Sequence, residues 1–306
     1  MSLSLSDSPV PNTGGGLVPP PVLAGASPWR TLRATLAQLY RQPASALGTT
    51  IFILFVAIAL VGPWLAPYSE NQQIAADARQ APSAKHWFGV DRLGRDVYSR
   101  VLLGARDILG LAGLGTLLAV LAGTTVGLLS GYRGGWFDEI VMRSFDSLLA
   151  MPALLLALLL LGTVGPSRET ILIVIVVVYT PIVARVVRSV VLGVKQKGFV
   201  EAARLQGEGQ ARILFREILP SVLPALAVEA ALRFSYAIFL VASLGFLGVG
   251  VQPPSPDWGL MVNEARGYVA QTPWAMYYPA AAISIIVVGV NLMADGLKRV
   301  LQVPAP

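Results

Sequence analysis

The chain has 306 residues, of which 55% are hydrophobic and only 13% are charged, and its mean hydropathy is +0.65. This composition excludes an ordinary water-soluble domain and indicates a membrane protein. The excess of 23 Lys and Arg over 17 Asp and Glu fits the basic ends of membrane helices better than nucleic-acid binding, and the lack of cysteine excludes disulfides, thiolate catalysis and cysteine metal sites.

The N-terminal segment, residues 1–28, is rich in Ser, Gly and Pro and contains no Lys or Arg. It therefore lacks the basic region of a secretory signal peptide, and its composition favours a disordered cytoplasmic tail. Residues 29–44 contain Arg30, Arg33 and Arg41. We expect them to form a cytoplasmic helix that leads into the membrane.

Six long apolar runs follow, each of roughly 20 residues or more, which is enough for a helix to cross a hydrocarbon core. They cover residues 45–66, 108–130, 140–163, 171–193, 221–250 and 276–297. We therefore predict an all-α integral membrane protein with six transmembrane helices and a membrane domain over residues 45–302. Two connections are long, one at 67–107 and one at 195–220.

Basic residues predict the orientation of the spans. If the N-terminus is cytoplasmic, the cytoplasmic segments hold 14 Lys and Arg and the outer segments hold 8. Cytoplasmic loops carry the excess of basic residues in membrane proteins. The chain is therefore expected to be a multi-pass protein of the cytoplasmic (inner) membrane with both termini cytoplasmic, an extracytoplasmic loop at 67–107 and a cytoplasmic loop at 195–220.

The end of the outer loop combines charged and apolar residues. Arg92, Asp96 and Arg100 follow at i, i+4 spacing, which predicts an amphipathic helix at the outer membrane interface. The alternative is a solvated, salt-paired helix with no role beyond anchoring. The lone histidine, His86, is expected to be a surface or interfacial residue rather than a metal ligand, because a ligand cluster needs partners nearby.

The polar segment between the fourth and fifth runs has helical periodicity. Small and apolar residues share one face of residues 198–206, while Glu201 and Arg204 share another. Gly207 and Gly209 interrupt this helix before an apolar pattern resumes. A helix, a glycine turn and a second helix suit docking into a groove on another protein. The alternative is a pair of interfacial helices resting on anionic lipid.

Two charged residues lie inside the fifth run, Glu229 and Arg233, at i, i+4 spacing. A charge near the bilayer centre costs about 2.5 to 3.5 kcal/mol on insertion scales, so such residues pair with each other or face a protein interior or a water-filled path. One interpretation is an ion pair near the cytoplasmic interface with Arg233 snorkelling. The other is a place on a translocation pathway.

Several motifs carry a resemblance to a known family. The sequence "EAARLQG" with the later "ILP" resembles the EAA loop of ABC-importer permease subunits, whose short coupling helix seats on an ATP-binding subunit. The stretches "FGVDRLGRDVYSRVLLGAR", "GYRGGWFDEIVMRSFDSLLAMPALLLAL" and "ASLGFLGVGVQPPSPDWGLMVNEAR" resemble the C-type subunit of the dipeptide/oligopeptide/nickel permease family. Together these motifs cover roughly residues 45–302.

The resemblance implies a subunit that contacts membrane lipid and pairs with a homologous B-type permease, two ATP-binding subunits and an extracytoplasmic substrate-binding protein. The coupling helix and its turn match Glu201, Ala202, Ala203, Arg204 and Gly207. The family's outer gate and extracellular segment match Gly245, Gly248, Gln252, Pro253, Pro254 and Trp258. We expect the first two of these, with Glu229 and Arg233, on the translocation pathway, and the other four at an extracytoplasmic gate or a contact with the binding protein.

The chain itself is not expected to be an enzyme or to bind a cofactor. It has no G-x-x-x-x-G-K-[ST] loop, so ATP and Mg are expected on partner subunits, and no His lies in a span to serve an intramembrane hydrolase. The expected function is that of an importer permease that moves peptides or similar small solutes by alternating access. The alternatives are a nickel or glutathione importer subunit of the same family, and an ion-coupled secondary transporter, which would show paired broken helices.

Overall fold

The computed structural model describes residues 28–301, which form helices with one isolated bridge, Val90–Asp96, and no strand within that range. The expected tail at 1–28 lies outside the described residues except for Pro28, which begins the first helix. The helices are α1 (Pro28–Tyr40), α2 (Pro43–Leu65), α3 (Val97–Arg133), α4 (Gly135–Leu149), α5 (Ala153–Val164), α6 (Arg168–Val194), α7 (Gly198–Leu205), α8 (Gln210–Arg212), α9 (Leu219–Phe246), α10 (Trp258–Ala265) and α11 (Pro273–Val300).

Five helices are long and apolar enough to cross a membrane: α2, α3, α6, the continuous helix Gln210–Phe246 and α11. The pair α4 and α5 meets the same test jointly but is bent by 88°. The prediction of six spans is confirmed when this pair counts as one broken span. The single helix expected over 140–163 is divided in two, because Pro152 between the two helices has no backbone N–H and restricts the residue before it.

The helix boundaries near the N-terminus differ from the predicted ones. The lead-in helix α1 ends at Tyr40, and α2 begins at Pro43 after a short turn. The amphipathic helix expected around Arg92 does not form, since α3 begins only at Val97. Asp96 is the N-cap of α3 and accepts a hydrogen bond from the backbone N–H of Ser99 at 2.8 Å.

The most extensive helix–helix contact joins α3 and α6. On α3 this contact is lined by small residues, and a Cβ atom added at Gly127 would lie 2.5 Å from the carbonyl oxygen of Ala184 on α6. The glycines of this stripe that face α6 in the same way are Gly115, Gly123, Gly127 and Gly131. Small residues let the two backbones approach closely, which is a common way for membrane helices to pack.

The buried apolar residues form two separate clusters. The larger one fills the middle and outer part of the bundle. The smaller one, called here the cytoplasmic cluster, consists of Leu128, Val183, Val187, Val191, Val194, Val200, Ala203, Ile213, Leu214, Ile218 and Val222. These residues come from α3, α6, α7 and the helix Gln210–Phe246, and the short helix α7 packs mainly against the N-terminal part of the helix Gln210–Phe246.

Residues 67–96, called here the outer cap, fold over the outer ends of α10 and α11. The indole Nε1 of Trp274 donates to the carbonyl oxygen of Val90 at 2.9 Å, and the rings of Phe88 and Tyr278 stack with centroids 3.9 Å apart. Phe88, Trp274 and Tyr278 all pack against the larger apolar cluster. The outer loop therefore adds to the folded core of the bundle.

Candidate functional site

The segment 195–220 contains a short helix, a glycine turn and the start of the fifth membrane helix. Gly207 has φ +76°, a left-handed conformation that L side chains rarely adopt, so glycine is required there. The helix that begins at Gln210 runs through a π-helical turn at Ile213–Ile218 and into α9 without a break. The second helix of this segment is thus the N-terminal end of a membrane helix.

The two faces of α7 have different environments. Val200 and Ala203 are buried in the cytoplasmic cluster, whereas Glu201 and Ala202 are exposed. Leu205, at the end of α7, has 84% of its surface exposed. The exposed face of α7 therefore carries apolar as well as charged side chains.

Arg204 turns towards the membrane bundle. Its guanidinium carbon lies 4.9 Å from the ring centroid of Tyr132, near the end of α3. A cation over an aromatic face within about 6 Å is attracted by the ring. Arg204 therefore ties α7 to α3, in addition to the apolar contacts of Val200 and Ala203.

A polar clamp that sequence reasoning missed joins the C-terminal parts of α3 and α6 to the first turn of α4. Arg188 donates to both carboxylate oxygens of Asp138, through Nε at 2.6 Å and Nη2 at 2.5 Å, and the hydroxyl of Ser130 also donates to Asp138. The ammonium group of Lys195 donates to the carbonyl oxygen of Gly131 at 2.7 Å. Two parallel bonds from one guanidinium fix orientation as well as distance.

Glu229 and Arg233 contact each other near the middle of the helix Gln210–Phe246. Nε of Arg233 lies 2.7 Å from Oε1 of Glu229, and only 13% and 11% of the two side chains are exposed. The distance suits a hydrogen bond but the angle does not, so the contact is one between charges. The guanidinium carbon also lies 4.9 Å from the ring centroid of Tyr236 and 5.7 Å from that of Tyr179.

A cleft of about 530 Å³ opens between the bend of α4 and α5, α6 and α9. Among its lining residues Arg233 is the sole charged one, and Tyr179, Tyr236 and Ser243 are the polar ones. The apolar remainder is Leu148, Leu149, Met151, Pro152, Ala153, Leu154, Leu156, Val177, Val178, Ile182, Phe239 and Leu240. The sequence located the ion pair but not the cleft, because the bend that shapes the cleft was not predicted.

Gly245 and Gly248 lie at the outer end of α9, apart from this cleft. A Cβ atom at Gly245 would lie 2.5 Å from Oδ1 of Asp257, so glycine is needed for the close approach of α9 and α10. Gly248 has φ +80° in the turn that follows α9. The four residues expected on the pathway therefore fall into two groups, about 24 Å apart along the helix from Glu229 to Gly245 at 1.5 Å per residue.

The outer segment after α9 has an exposed and a buried part. Gln252, Pro253 and Pro254 are exposed. Trp258 is fully buried, with its Nε1 donating to the carbonyl oxygen of Val101 at 3.0 Å and its ring edge-to-face with Phe55. Trp258 thus has no exposed surface with which to contact a binding protein, so the expected direct contact with that protein does not involve Trp258.

Arg100 anchors the outer segment and was not singled out by the sequence as a buried residue. Its guanidinium is 1% exposed and donates to the carbonyl oxygens of Glu70 and Ser255, both at 3.0 Å. These bonds connect α3, the outer cap and the loop before α10. No sequence signal distinguishes this buried arginine from an exposed one.

Asp257 is fully buried at the start of α10, where its Oδ1 accepts a hydrogen bond from the N–H of Leu260 at 2.9 Å. Its Oδ2 is buried without a hydrogen-bond partner in residues 28–301. Burial raises the pKa of the Asp257 carboxyl to about 6, because a charge is costly away from water. The start of α10 therefore contains a buried carboxyl group whose ionised form is energetically costly.

His86 is 1% exposed, so the expectation of a surface residue was wrong. Its Nδ1 lies 2.8 Å from Oδ1 of Asp96, and its Nε2 lies 3.3 Å from Oδ2 of Asp77. Hydrogen bonds from Lys85 and His86 lower the pKa of Asp77. Within residues 28–301 no group of three or more acidic, His or Cys side chains is arranged to hold a metal.

Comparison with known proteins identifies the family. Residues 123–302 match the family described as binding-protein-dependent transport system inner membrane component, and residues 27–82 match the N-terminal transmembrane domain of oligopeptide transport permease C. The inward-facing MetNI methionine ABC transporter is similar in fold, with a TM-score of 0.54 and 19% identity over 66% of this chain and 94% of that chain.

Two relatives are similar over almost the whole chain. The dipeptide transport system permease protein DppC of Alkalihalophilus pseudofirmus is 38% identical over 96% of this chain and 95% of its own length. The glutathione transport system permease protein GsiD of Pectobacterium atrosepticum is 38% identical over 90% of this chain and 91% of its own length. The chain belongs to the binding-protein-dependent transport system inner membrane components, as a C-type permease subunit of an ABC importer.

Proposed function

We propose that this permease subunit moves short peptides across the inner membrane. The observation that carries the proposal is the 38% identity to a dipeptide permease over 96% of the chain. Glutathione, itself a small peptide-like solute, is the second candidate, because the GsiD relatives are 38% and 39% identical over 90% of the chain. A nickel importer of the same family is the remaining alternative.

The cargo proposal is tested with the complete transporter reconstituted in proteoliposomes together with its binding protein. Labelled dialanine is expected to accumulate when ATP is supplied on the side of the ATPase subunits. Accumulation of glutathione or nickel in place of dialanine would overturn the peptide proposal. Uptake that needs an ion gradient and ignores ATP would instead support the ion-coupled alternative.

The coupling surface is proposed to be α7 and its glycine turn, with Glu201, Ala202, Ala203, Arg204 and Gly207. Two features support it. The exposed face offers Glu201, Ala202 and Leu205 to an ATP-binding subunit, while the buried face is packed on the cytoplasmic cluster. A push on α7 would therefore act directly on the helix Gln210–Phe246, and on α3 through Arg204 and Tyr132, which suits alternating access driven from outside this chain.

A crosslinking experiment tests this surface, and α7 offers a matched control. A cysteine at the exposed Ala202 should crosslink to an ATP-binding subunit, because the native chain has no cysteine to compete. A cysteine at its neighbour Ala203, which is 7% exposed, should crosslink far less. Equal yields from both positions, or crosslinking from neither, would contradict this arrangement.

The translocation pathway is proposed to run past Glu229 and Arg233 in the cleft and past Gly245 and Gly248 at the outer end of α9. The charge pair in the middle of a membrane helix beside an open cleft supports the inner part of this path. The exposed Gln252, Pro253 and Pro254 are proposed to form the outer gate surface that meets the binding protein, with buried Trp258 as its support.

The assembly is proposed to contain a homologous B-type permease, two ATP-binding subunits that hold ATP and Mg, and an extracytoplasmic binding protein. The two termini are proposed to be cytoplasmic, supported by the bias of 14 to 8 basic residues. This orientation places α7 on the same side as the ATPase subunits. It also places the outer cap on the side of the binding protein.

A further inference from the structure

We propose that Arg233 binds a carboxylate group of the cargo in the cleft, with Glu229 as the resident counter-ion that the cargo replaces. The inference rests on the proposed pathway and adds the chemical group that the pathway recognises. It comes from the position of one guanidinium between an acidic residue and an otherwise uncharged cleft of about 530 Å³.

The guanidinium has donors to spare. Arginine has five N–H donors in a fixed fork, and here only Nε is close to an acceptor, Oε1 of Glu229. Within residues 28–301 neither terminal nitrogen of Arg233 forms a hydrogen bond to the protein. Arg233 lines the cleft and Glu229 does not, so the cleft is the side from which a ligand can approach Arg233. Such an edge matches the two oxygens of a carboxylate.

The surroundings favour an anion over a cation. The guanidinium carbon lies within 6 Å of the ring centroids of Tyr179 and Tyr236, and these rings attract a cation without neutralising its charge. No acidic residue lines the cleft, so a cationic group there would meet Arg233 without a partner. In an apolar cleft, the sign of the one charged side chain determines whether an anionic or a cationic ligand group binds favourably.

The poor alignment between Arg233 and Glu229 suits an exchange of partners. Nε of Arg233 and Oε1 of Glu229 are both buried without an aligned hydrogen bond in the described part of the chain. A cargo carboxylate that binds the free edge of the guanidinium competes with Glu229 for the same charge. Glu229 then keeps the site neutral when no cargo is present, which a buried arginine alone would not allow.

The test measures how a charged thiol reagent reaches this site in the nucleotide-free, reconstituted complex without its binding protein. Ile182 lines the cleft one helical turn from Tyr179, and the native chain has no cysteine. In an Ile182→Cys background, modification of this chain is timed with three methanethiosulfonates: the anionic ethylsulfonate, the cationic ethyltrimethylammonium and the neutral methyl reagent. Each rate is divided by that for free 2-mercaptoethanol.

The anionic-to-cationic rate ratio is expected to fall about tenfold in Arg233→Gln, because removing one charge roughly 10 Å away at an effective dielectric constant of about 50, between the values for protein and water, changes the two rates about threefold each in opposite directions. Glu229→Gln should raise the anionic-to-cationic rate ratio. The double variant Glu229→Gln with Arg233→Gln should bring this ratio near one, and it leaves neither residue as an unpaired buried charge. The matched control is Arg168→Gln. Arg168 is an exposed arginine at the first residue of the helix that holds Ile182, about 21 Å away along that helix at 1.5 Å per residue, and it is paired with Asp107 outside the cleft, so this change should leave the ratio unchanged.

Sodium propionate should slow modification by the neutral reagent in the presence of Arg233, and propionamide at matched ionic strength should not. The carboxylate site is overturned if the anionic-to-cationic rate ratio is the same with and without Arg233. It is also overturned if propionate and propionamide protect equally. A neutral reagent that cannot reach Cys at position 182 overturns the proposed pathway instead. The two failures are therefore distinguishable.

Discussion

Replacing Asp257 with asparagine should remove a pH-dependent loss of stability in the outer gate region. The carboxyl is fully buried at the start of α10 and caps this helix through Leu260. Burial raises its pKa from the ordinary 3.8 to about 6. Asparagine keeps an oxygen for the helix cap and is neutral at every pH.

The size of the effect follows from the two pKa values, about 6 when folded and 3.8 as the ordinary value. At 1.36 kcal/mol per pKa unit the full difference is about 3 kcal/mol. The folded pKa is the higher one, so the favourable contribution of Asp257 is complete below about pH 3.8 and is lost as the pH rises through about 6. Between pH 5 and pH 8 the wild-type chain should lose roughly 1.5 kcal/mol from this group.

The assay is the free energy of unfolding of the permease in the purified complex, measured by pulse proteolysis across denaturant at pH 5 and pH 8. The free energy of unfolding of Asp257→Asn minus that of the wild type should increase by about 1.5 kcal/mol from pH 5 to pH 8. Asp257→Ser introduces an uncharged cap that leaves a small void. Its free energy of unfolding should have the same pH dependence as that of Asp257→Asn, at lower absolute values. Parallel pH profiles for wild type and both variants would refute the reasoning.

Three further predictions concern orientation, coupling and packing. A cysteine at Gln72 should react with an impermeant reagent in intact cells and one at Gln210 should not, and the reverse pattern would exclude cytoplasmic termini. Gly207→Val should keep ATP hydrolysis but lower the number of molecules transported per ATP, because a β-branched residue at φ +76° costs about 1 to 3 kcal/mol. Unchanged transport would argue against a coupling role for this turn. Gly127→Val should destabilise the permease by about 1 to 3 kcal/mol or prevent its accumulation, because its Cβ would lie 2.5 Å from a carbonyl oxygen of α6. The matched control Gly110→Val, on the same helix and with open space around its Cβ in the described residues, should cause no such loss, and equal losses in both variants would contradict the close α3–α6 packing.

The sequence by itself determined the features that depend on neighbouring residues. Apolar runs long enough to cross a bilayer must be helical, so the spans and their order could be read from the chain. The same holds for α7 and its glycine turn, where periodicity and a residue free to adopt φ +76° are local properties. The spacing of Glu229 and Arg233 likewise indicated that they could pair.

The tertiary structure decided which polar groups are buried and where the chain opens. Arg95 pairs with Glu264, which is 169 residues away, and Arg188 with Asp138, which is 50 residues away. His86, Arg100 and similar residues look like surface residues in the sequence because their partners are not visible there. The bend at Pro152 and the cleft beside Arg233 depend on how four helices meet. Burial and cavity shape depend on contacts between segments that are distant in the sequence, whereas helix formation depends on residues that are close to one another in the sequence.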